Sequence, residues 1–557
     1  MHAVMRTNPE CIVFNLFLQH IKIQAILGTR HTNVKAMLFF PCLEVAAYVT
    51  RKSVIPPHNS NNKVQPMRAT SNLSLICVTL AALFIFSPGI AQENPLGQPL
   101  LDATGNIRED AFIQIPLRED DRLYADIDGA WMKAVMNELI EFSQQDKQSG
   151  NLFWGRNLGT EAHALSQDWA EATFRQLGLE EIIRSNFNLE PVWRMSSWDI
   201  SFKAGEAEFT LASARPPEKT TSTTTGGLEF ELVWLGTGTE ADYLQRDVAG
   251  KAVLIQDIPR PGTLRHSIRT EDAIERAYSH GAAAVGIVYG ISNNFAVWQR
   301  TGGRPGFNLG YEDGVALREL LGGGQSVSVH LDYQSELIPD QTGDSVLGGL
   351  PGTSDENIFI LAHVDGYFDA ASDNASGMAV MMGLIKHFAQ RPQSERRRNL
   401  IFMSSLGHHS GPGARWLHDE RQTALADTAL LINLEHVAVV RTKYWGPSLR
   451  KMNAVSPMRW WVWGSEPMLD VVLDAFQRFN VGVTADMEPR ASGEMGAVAR
   501  DVASLQVITS PEIKHTEQDT AEWVPAVGLE QIARAYAKII DGVNSLDKFE
   551  IQPALNP

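Results

Sequence analysis

The sequence predicts an α/β fold in which helices sandwich a mixed, mostly parallel sheet. From Ser345 onward, short apolar runs alternate with segments of helical periodicity, and four of these runs are 358–362, 400–406, 430–434 and 505–509. Short runs without polar alternation suit strands that are buried on both faces. Strands that alternate with helices along a chain are typical of a sheet covered by helices.

Two helices are predicted in the stretch that precedes the first β-rich segment. Apolar residues recur at helical spacing over 124–142, and a second helix over 161–177 opens at Gly159-Thr160-Glu161 and ends at Gly178. A polar link bounded by proline and glycine, 214–227, indicates a domain boundary. Short β-runs follow it, with turns at Gly250-Lys251 and Gly281-Ala282, and the last predicted helix covers 529–543.

Length and charge limit the function. The chain has 557 residues, enough for more than one domain of roughly 150 residues. Its net charge of −17, without a cluster of basic residues, predicts no nucleic-acid partner, because phosphate binding needs a concentrated positive surface.

The segment 67–91 predicts a secretory signal peptide. Met67-Arg68 gives a positive start, an apolar stretch covers 73–86, and small residues lead to Ala91. This stretch is shorter than the roughly 20 residues of a membrane-spanning helix, so a membrane anchor is the less favoured alternative. We therefore predict that 1–66 is a non-native upstream extension, that Met67 is the true start, and that cleavage follows Ala91.

A chain cleaved after Ala91 would be periplasmic or secreted, with no stable membrane insertion. Cys11, Cys42 and Cys77, the three cysteines of the sequence, all precede that point. The mature chain would then have neither disulfides nor thiol catalysis.

Polar residues stand at the ends of the predicted strands. His363 ends the first strand, Glu435 ends the third, and His515 follows the fourth. Two adjacent histidines, His408 and His409, follow the second strand. In open α/β sheets ligands bind beyond the carboxyl ends of the strands, so we expect these side chains to converge.

Asp365 and Asp373 lie between the first strand and the next helix, which adds carboxylates to this edge. Imidazole and carboxylate together are the ligand set of zinc in hydrolytic sites, and two ions roughly 3.5–4 Å apart can share a carboxylate. Taken singly, each histidine is more often a surface or packed residue than a ligand. Asp373-Asn374 is also a good cap for the following helix. The coincidence of several ligand types at successive strand ends favours a metal site.

Four segments carry a resemblance to a known family. Ala362-His363-Val364-Asp365 with Asp373-Asn374-Ala375-Ser376-Gly377 resembles the first metal motif of metallopeptidase family 28, the co-catalytic zinc exopeptidases that include aminopeptidases and glutamate carboxypeptidases. Ile432-Asn433-Leu434-Glu435 and His515-Thr516 are similar to two further motifs, in the same order. Trp154-Gly155-Arg156 with Gly159-Thr160-Glu161 resembles the carboxypeptidase Q-like branch.

The resemblance implies the zinc exopeptidase fold, divided between 110–225 and 335–547 by an inserted β-rich protease-associated domain at 226–334. It implies one or two zinc ions. Where two are bound, Asp373 would bridge them, with His363 and Glu435 at one ion and His515 and His409 at the other. Asp365 would orient His363, a role that we count as catalytic, and Asp519 would act similarly near His515.

The sequence departs from the family at one motif, where two adjacent glutamates normally follow a glycine. Here Gly407 is followed by His408 and His409. A neutral imidazole at position 409 still suits zinc. His408 would have to replace the general base, and its usual pKa of about 6.5 permits this near neutrality.

We therefore predict an exported, metal-dependent exopeptidase that hydrolyses terminal bonds of short peptides, with peptides as its partners. The sequence does not decide between an aminopeptidase and a dipeptidase or carboxypeptidase. It also does not decide whether the protein forms a homodimer. The alternative is a catalytically impaired relative that binds peptides or metal. Another amide hydrolase or a cyclase on the same fold is a third option.

Overall fold

The computed structural model describes residues 101–553, apart from 104, 259–269, 298–299, 408–410, 420–421, 424, 485–490 and 492. All of these residues lie in one unit, Gly89–Pro557. The predicted upstream extension, 1–66, and the predicted signal peptide, 67–91, lie outside the described residues. Within the described ranges, we find no helix with the length and apolar character needed to cross a membrane.

The described strands are, in chain order, β1 (Gly155–Arg156), β2 (Glu180–Asn188), β3 (Val192–Ala204), β4 (Ala207–Thr210), β5 (Leu228–Trp234), β6 (Ala252–Gln256), β7 (Ala284–Val288), β8 (Gly306–Leu309), β9 (Val327–Ile338), β10 (Thr342–Leu350), β11 (Asn357–His363), β12 (Gly366–Tyr367), β13 (Asn399–Ser405), β14 (Thr428–Leu434), β15 (Val440–Trp445), β16 (Ser448–Val455), β17 (Met458–Trp463), β18 (Val483–Thr484) and β19 (Ser504–Ile508).

The described α-helices are α1 (Gly129–Gln148), α2 (Glu161–Gln176), α3 (Thr270–Ser279), α4 (Tyr311–Gly322), α5 (Ser376–Ala389), α6 (Pro412–Asp419), α7 (Glu466–Arg478), α8 (Ala526–Asn544) and α9 (Lys548–Ile551).

The larger sheet has eight strands in the order β18-β17-β19-β14-β11-β13-β10-β2. Its central strands β19, β14, β11 and β13 are parallel, and they are the four strands predicted from the apolar runs. Antiparallel pairings flank this centre, since β10 pairs with β13 and β17 pairs with β19. The predicted mixed, mostly parallel sheet is therefore confirmed.

Helices cover the larger sheet. α1, α5 and α8 contribute to the main apolar core against one face, with residues such as Met136, Met382 and Ile540 fully or almost fully buried. A second apolar core contains other residues of these strands together with Leu417 of α6 and Met495. Burial on both faces explains why these strands are apolar without alternation.

Helix caps explain where the N-terminal helices begin. α2 begins at Glu161 because the Thr160 side chain accepts the backbone N–H of His163, as the sequence predicts. α1 begins at Gly129, five residues later than the predicted start at 124. There the Asp128 side chain caps α1 by accepting two backbone N–H groups, while 119–124 forms a 3-10 helix.

The smaller sheet has seven strands in the order β4-β3-β9-β5-β6-β7-β8, and it has apolar cores of its own. It includes β3 and β4, which precede the predicted boundary at 226. The β6, β7 and β8 strands are parallel and α3 packs beside them. Its assignment to the protease-associated domains remains a prediction.

Candidate metal centre

The carboxyl ends of two parallel strands bring candidate ligands together. β11 ends at His363, and β14 ends at Leu434 so that Glu435 follows directly. Leu361 of β11 pairs with Asn433 of β14, which places these ends side by side. This register fixes the position of both ligands, because the residues after paired strand positions emerge at the same edge of the sheet.

Asp373 is the centre of the cluster. Its Oδ1 atom lies 3.1 Å from His363 Nε2 and 2.8 Å from His436 Nε2, and its Oδ2 atom lies 2.9 Å from His515 Nε2. The carboxylate is only 2% exposed. One buried carboxylate thus faces three imidazoles, with two of them on one oxygen.

A second group of ligand-type side chains lies beside the first. Single donor atoms of His363, Glu435 and Glu494 lie within 4.8 Å of one another, and all three residues are fully buried. Asn433 donates to the Glu435 carboxylate over 3.0 Å, and Gln506 donates to the same oxygen over 2.9 Å. The two amides fix the orientation of this carboxylate and leave its other oxygen facing the cluster.

The donor atoms fit a bound cation. Asp373 Oδ1, Glu435 Oε1 and His436 Nε2 are buried and have no partner with hydrogen-bond geometry. Buried polar atoms without partners are costly, and a metal ion would satisfy them at once. Mixed imidazole and carboxylate donors are suited to zinc.

The charges in the cluster reinforce one another. Burial alone would raise the pKa of Asp373, but His436, His363 and His515 outweigh burial and hold that pKa well below its usual range. Burial lowers the pKa of His363, yet Glu494, Asp365 and Asp373 together raise it well above its ordinary value. The region is thus a strongly negative site that attracts positive charge.

A supporting network holds the Asp373 loop. The two carboxylate oxygens of Asp519 accept the backbone N–H groups of Ser372 and Asp373, over 2.8 and 3.2 Å. The Asn374 amide donates to Leu434 O and accepts from Gly377 N, so it ties the start of α5 to the end of β14. Asn374 thus accepts a backbone N–H in the first turn of α5, whose N-cap residue is Ala375, while Asp373 belongs to the cluster.

Arg156 supports the loop from below. It is fully buried and donates to the carbonyl oxygens of Val364, Asp369 and Ala370. Burial lowers its pKa to about 10, although the carboxylates of the site oppose this shift. The short pairing of β1 with β12 brings Arg156 to this position.

Unusual backbone conformations concentrate at the same edge. Non-glycine residues with φ between 48° and 65° include Phe368, Ala370, His436, Ala438 and His515. Each such conformation is costly for an L-residue, and these residues tend to cluster at functional sites. The surrounding contacts must therefore hold them in place.

Four of the predicted ligands meet in the structure: His363, Asp373, Glu435 and His515. Asp365 lies next to His363, with its carboxylate 3.4 Å and its carbonyl oxygen 3.1 Å from His363 Nδ1. His408 and His409 lie outside the described residues, so their roles remain predictions. Asp519, predicted to act near His515, accepts hydrogen bonds from the Asp373 loop.

Sequence reasoning missed two residues of the cluster. His436 directly follows Glu435 at the end of β14, and that adjacency was an available signal. Glu494 comes from a short 3-10 helix, Gly493–Ala497, far from any predicted strand end. No periodicity or strand-end rule marks such a position, because its place depends on how the chain returns over the sheet.

A cleft of about 690 Å³ adjoins the cluster at Asp365 and Tyr367. The side chains that line it carry charges of both signs, and they include Glu190, Glu218, Arg300 and Arg415. Arg300 is held by two hydrogen bonds to Glu218, of 2.5 and 2.9 Å. This volume lies within the range of roughly 300–1,000 Å³ that is typical of small-ligand sites.

Comparisons with solved structures show the same fold. An aminopeptidase from Aneurinibacillus sp. strain AM-1 is 17% identical, with a TM-score of 0.52 over 78% of this chain and 100% of that one. A zinc aminopeptidase from Bacillus subtilis, BSAP, is 17% identical, with a TM-score of 0.53 over 76% and 98%. A peptidase M28 precursor from Shewanella amazonensis SB2B is 17% identical, with a TM-score of 0.58 over 78% and 98%.

The sequence itself carries a family signal. No curated protein gives a significant match. Residues 345–540 match the family model described as Peptidase family M28, and this span contains all the ligand-type residues of the cluster. The 345–540 segment is therefore similar to peptidase family M28, and the chain shares the fold of these solved aminopeptidases.

Proposed function

We propose that this protein is an exported, zinc-dependent exopeptidase that removes terminal residues from short peptides. The observation that carries the proposal is the buried cluster around Asp373, in which His363, His436 and His515 face one carboxylate at the edge of the sheet. Such a donor set belongs to metal-assisted hydrolysis rather than to structural packing, because it would be costly without a cation.

When bound, zinc polarises a carbonyl group and makes water a better nucleophile. The residues of the chain prepare the place for it. Asp519 and Arg156 fix the loop that carries Asp373, and the carbonyl oxygen and carboxylate of Asp365 orient the His363 ring from its Nδ1 side.

Proton transfer is the step that depends on residue 408. The family pattern has a glutamate there, and this chain has His408. An imidazole can accept a proton near neutral pH, and loss of a general base typically lowers a rate by about 10²–10⁴-fold. We expect His408→Ala to lower kcat within that range while zinc content stays constant. An unchanged kcat would exclude His408 as the base.

The cleft supports small peptides as substrates. Its volume of about 690 Å³ holds a few residues, and its position next to Asp365 leads a chain end to the cluster. Glu190 and Glu336 offer acceptors for an ammonium group, whereas Arg415 offers a donor for a carboxylate. The cleft therefore provides for either terminus, and the substrate end has to be assigned by experiment.

The test is hydrolysis of a dipeptide and tripeptide panel with free, N-acetylated and C-amidated ends. Loss of cleavage on acetylation indicates an aminopeptidase, and loss on amidation indicates a carboxypeptidase or dipeptidase. We expect a chelator to abolish cleavage and added zinc to restore it. A folded, zinc-loaded protein that cleaves none of the peptides would contradict the proposal and favour a binding role.

Export has its own measurement. Sequencing the N-terminus of protein collected from outside the cytoplasm is expected to give Gln92 as the first residue. A first residue before Met67 would overturn the assigned start.

A further inference from the structure

We propose that His436 is a ligand of the same metal ion as His363 and Asp373, a position outside the ligand set that the family resemblance implies. The proposal concerns metal binding, so it stands or falls independently of peptide hydrolysis. It is carried by the two ring nitrogens of His436, which face different partners.

The Nδ1 atom identifies the tautomer. It lies 2.8 Å from the backbone carbonyl oxygen of Thr509. A carbonyl oxygen can only accept, so Nδ1 carries the hydrogen and the Nε2 atom of the neutral ring presents a lone pair. Metal-binding histidines commonly have their second nitrogen fixed by a carbonyl in this way.

The Nε2 atom faces acceptors. It lies 2.8 Å from Asp373 Oδ1 and 3.6 Å from Glu435 Oε1, and the side chain is 1% exposed. Lone pairs of a neutral imidazole and a carboxylate repel each other at such distances. A cation must therefore lie between them, either a proton or a metal ion.

The geometry favours the metal. Asp373 Oδ1 and His436 Nε2 have no partner with hydrogen-bond geometry, so a proton shared along the line between them would be poorly placed. Tetrahedral zinc with bonds of about 2.0 Å separates its ligand atoms by about 3.3 Å. Asp373 Oδ1 lies 3.1 Å from His363 Nε2 and 2.8 Å from His436 Nε2, and His436 Nε2 lies 3.6 Å from Glu435 Oε1, so these distances bracket that value.

His363 shows the same arrangement. Its Nδ1 atom lies 3.1 Å from the carbonyl oxygen of Asp365, and its Nε2 atom lies 3.1 Å from Asp373 Oδ1. His363 and His436 thus approach one oxygen from two sides, each oriented from behind by a backbone carbonyl. Together with Asp373, they form a group of three donor residues whose ligand atoms all lie within 4.8 Å of one another.

A larger set of buried protein ligands holds zinc more tightly, whereas a site with open positions holds its ion for chemistry. We therefore expect two classes of zinc affinity. The tighter ion would be held by His363, Asp373 and His436, and the weaker one by Asp373 and His515.

The decisive variant is His436→Asn. An asparagine amide reaches the place of Nδ1 and can still donate to Thr509, but it has no atom at the place of Nε2. A purely structural His436 would thus tolerate the change, and a ligand would not. The matched control is His387→Asn, at another buried histidine whose Nδ1 atom contacts Asp126 over 2.9 Å.

The measurement is the zinc dissociation constant of the tight site, by competition with a chromophoric chelator. Loss of a ligand should exceed the 10–100-fold effect that is typical of an outer-shell partner, so we expect roughly 100-fold weaker binding in His436→Asn. His387→Asn should bind zinc as the unaltered protein does. Native affinity in His436→Asn would overturn the proposal.

A second measurement needs no variant. X-ray absorption of the protein loaded with one equivalent of zinc should show two imidazole ligands, from His363 and His436. One imidazole would refute the assignment even if His436→Asn fails to fold. Neither readout uses peptide cleavage, so failure of the proposed enzymatic function would not affect either result.

Discussion

Arg156→Met tests whether the buried guanidinium supports the metal centre. Arg156 donates four hydrogen bonds of 2.7–3.2 Å, to three carbonyl oxygens and to Ser143 Oγ. At about 1.5 kcal/mol for each bond to a charged donor, their loss costs about 6 kcal/mol. Burial lowers its pKa to about 10, which corresponds to about 3 kcal/mol that the buried charge costs and that methionine returns.

The net loss is therefore about 3 kcal/mol of unfolding free energy, measured by denaturant titration of chelator-treated protein. The carbonyl oxygens that lose their donor flank His363 and the Asp373 loop, so we also expect zinc affinity to fall by at least tenfold. Arg398→Met is the matched control. Arg398 is fully buried too, but it donates to Val543 and Leu546, away from the cluster.

The control should lose stability while its folded form keeps native zinc affinity. If Arg156→Met binds zinc as tightly as Arg398→Met, the guanidinium is only a packing element. The reasoning about the loop would then be wrong.

Three further changes probe the same cluster. In Gly493→Ala, the added Cβ would lie 2.1 Å from Glu435 Oε2 at a φ of +60°, so zinc affinity should fall. Gly446→Ala is the control: its backbone strain is similar (φ +61°) but its Cβ would meet open space, so its zinc affinity should be native. Asp519→Asn replaces one of the two oxygens that hold the Asp373 loop with a donor; we expect at least tenfold lower kcat/KM, and unchanged kinetics would refute this role. Removing the metal with a chelator should lower Tm, because zinc at 1,000 times its Kd stabilises by about 4 kcal/mol, and a Tm unaffected by the chelator would contradict a resident ion.

Much of the peptidase core follows from sequence. The four apolar runs predict β11, β13, β14 and β19 to within two residues at each end, because strands buried on both faces have no polar alternation to confuse their boundaries. The strand-end rule likewise predicts that His363, Glu435 and His515 converge with Asp373. These features depend on local pattern and on the geometry of parallel sheets.

Other features depend on contacts that sequence does not encode locally. Glu494 reaches Glu435 only because a short 3-10 helix returns over the sheet, and the role of Asp519 depends on which backbone N–H groups meet its carboxylate. The start of the smaller sheet at Val192, before the polar link, is equally non-local because β3 pairs with β9.

The sequence by itself determined the α/β class, the candidate ligands that follow the central strands, and the replacement of two glutamates by His408 and His409. Only the tertiary structure decided that His436 faces Asp373 and that Arg156 lies beneath the loop. The reason is physical: periodicity reports which residues are buried, whereas the direction of a buried polar side chain is set by partners that are distant in the chain.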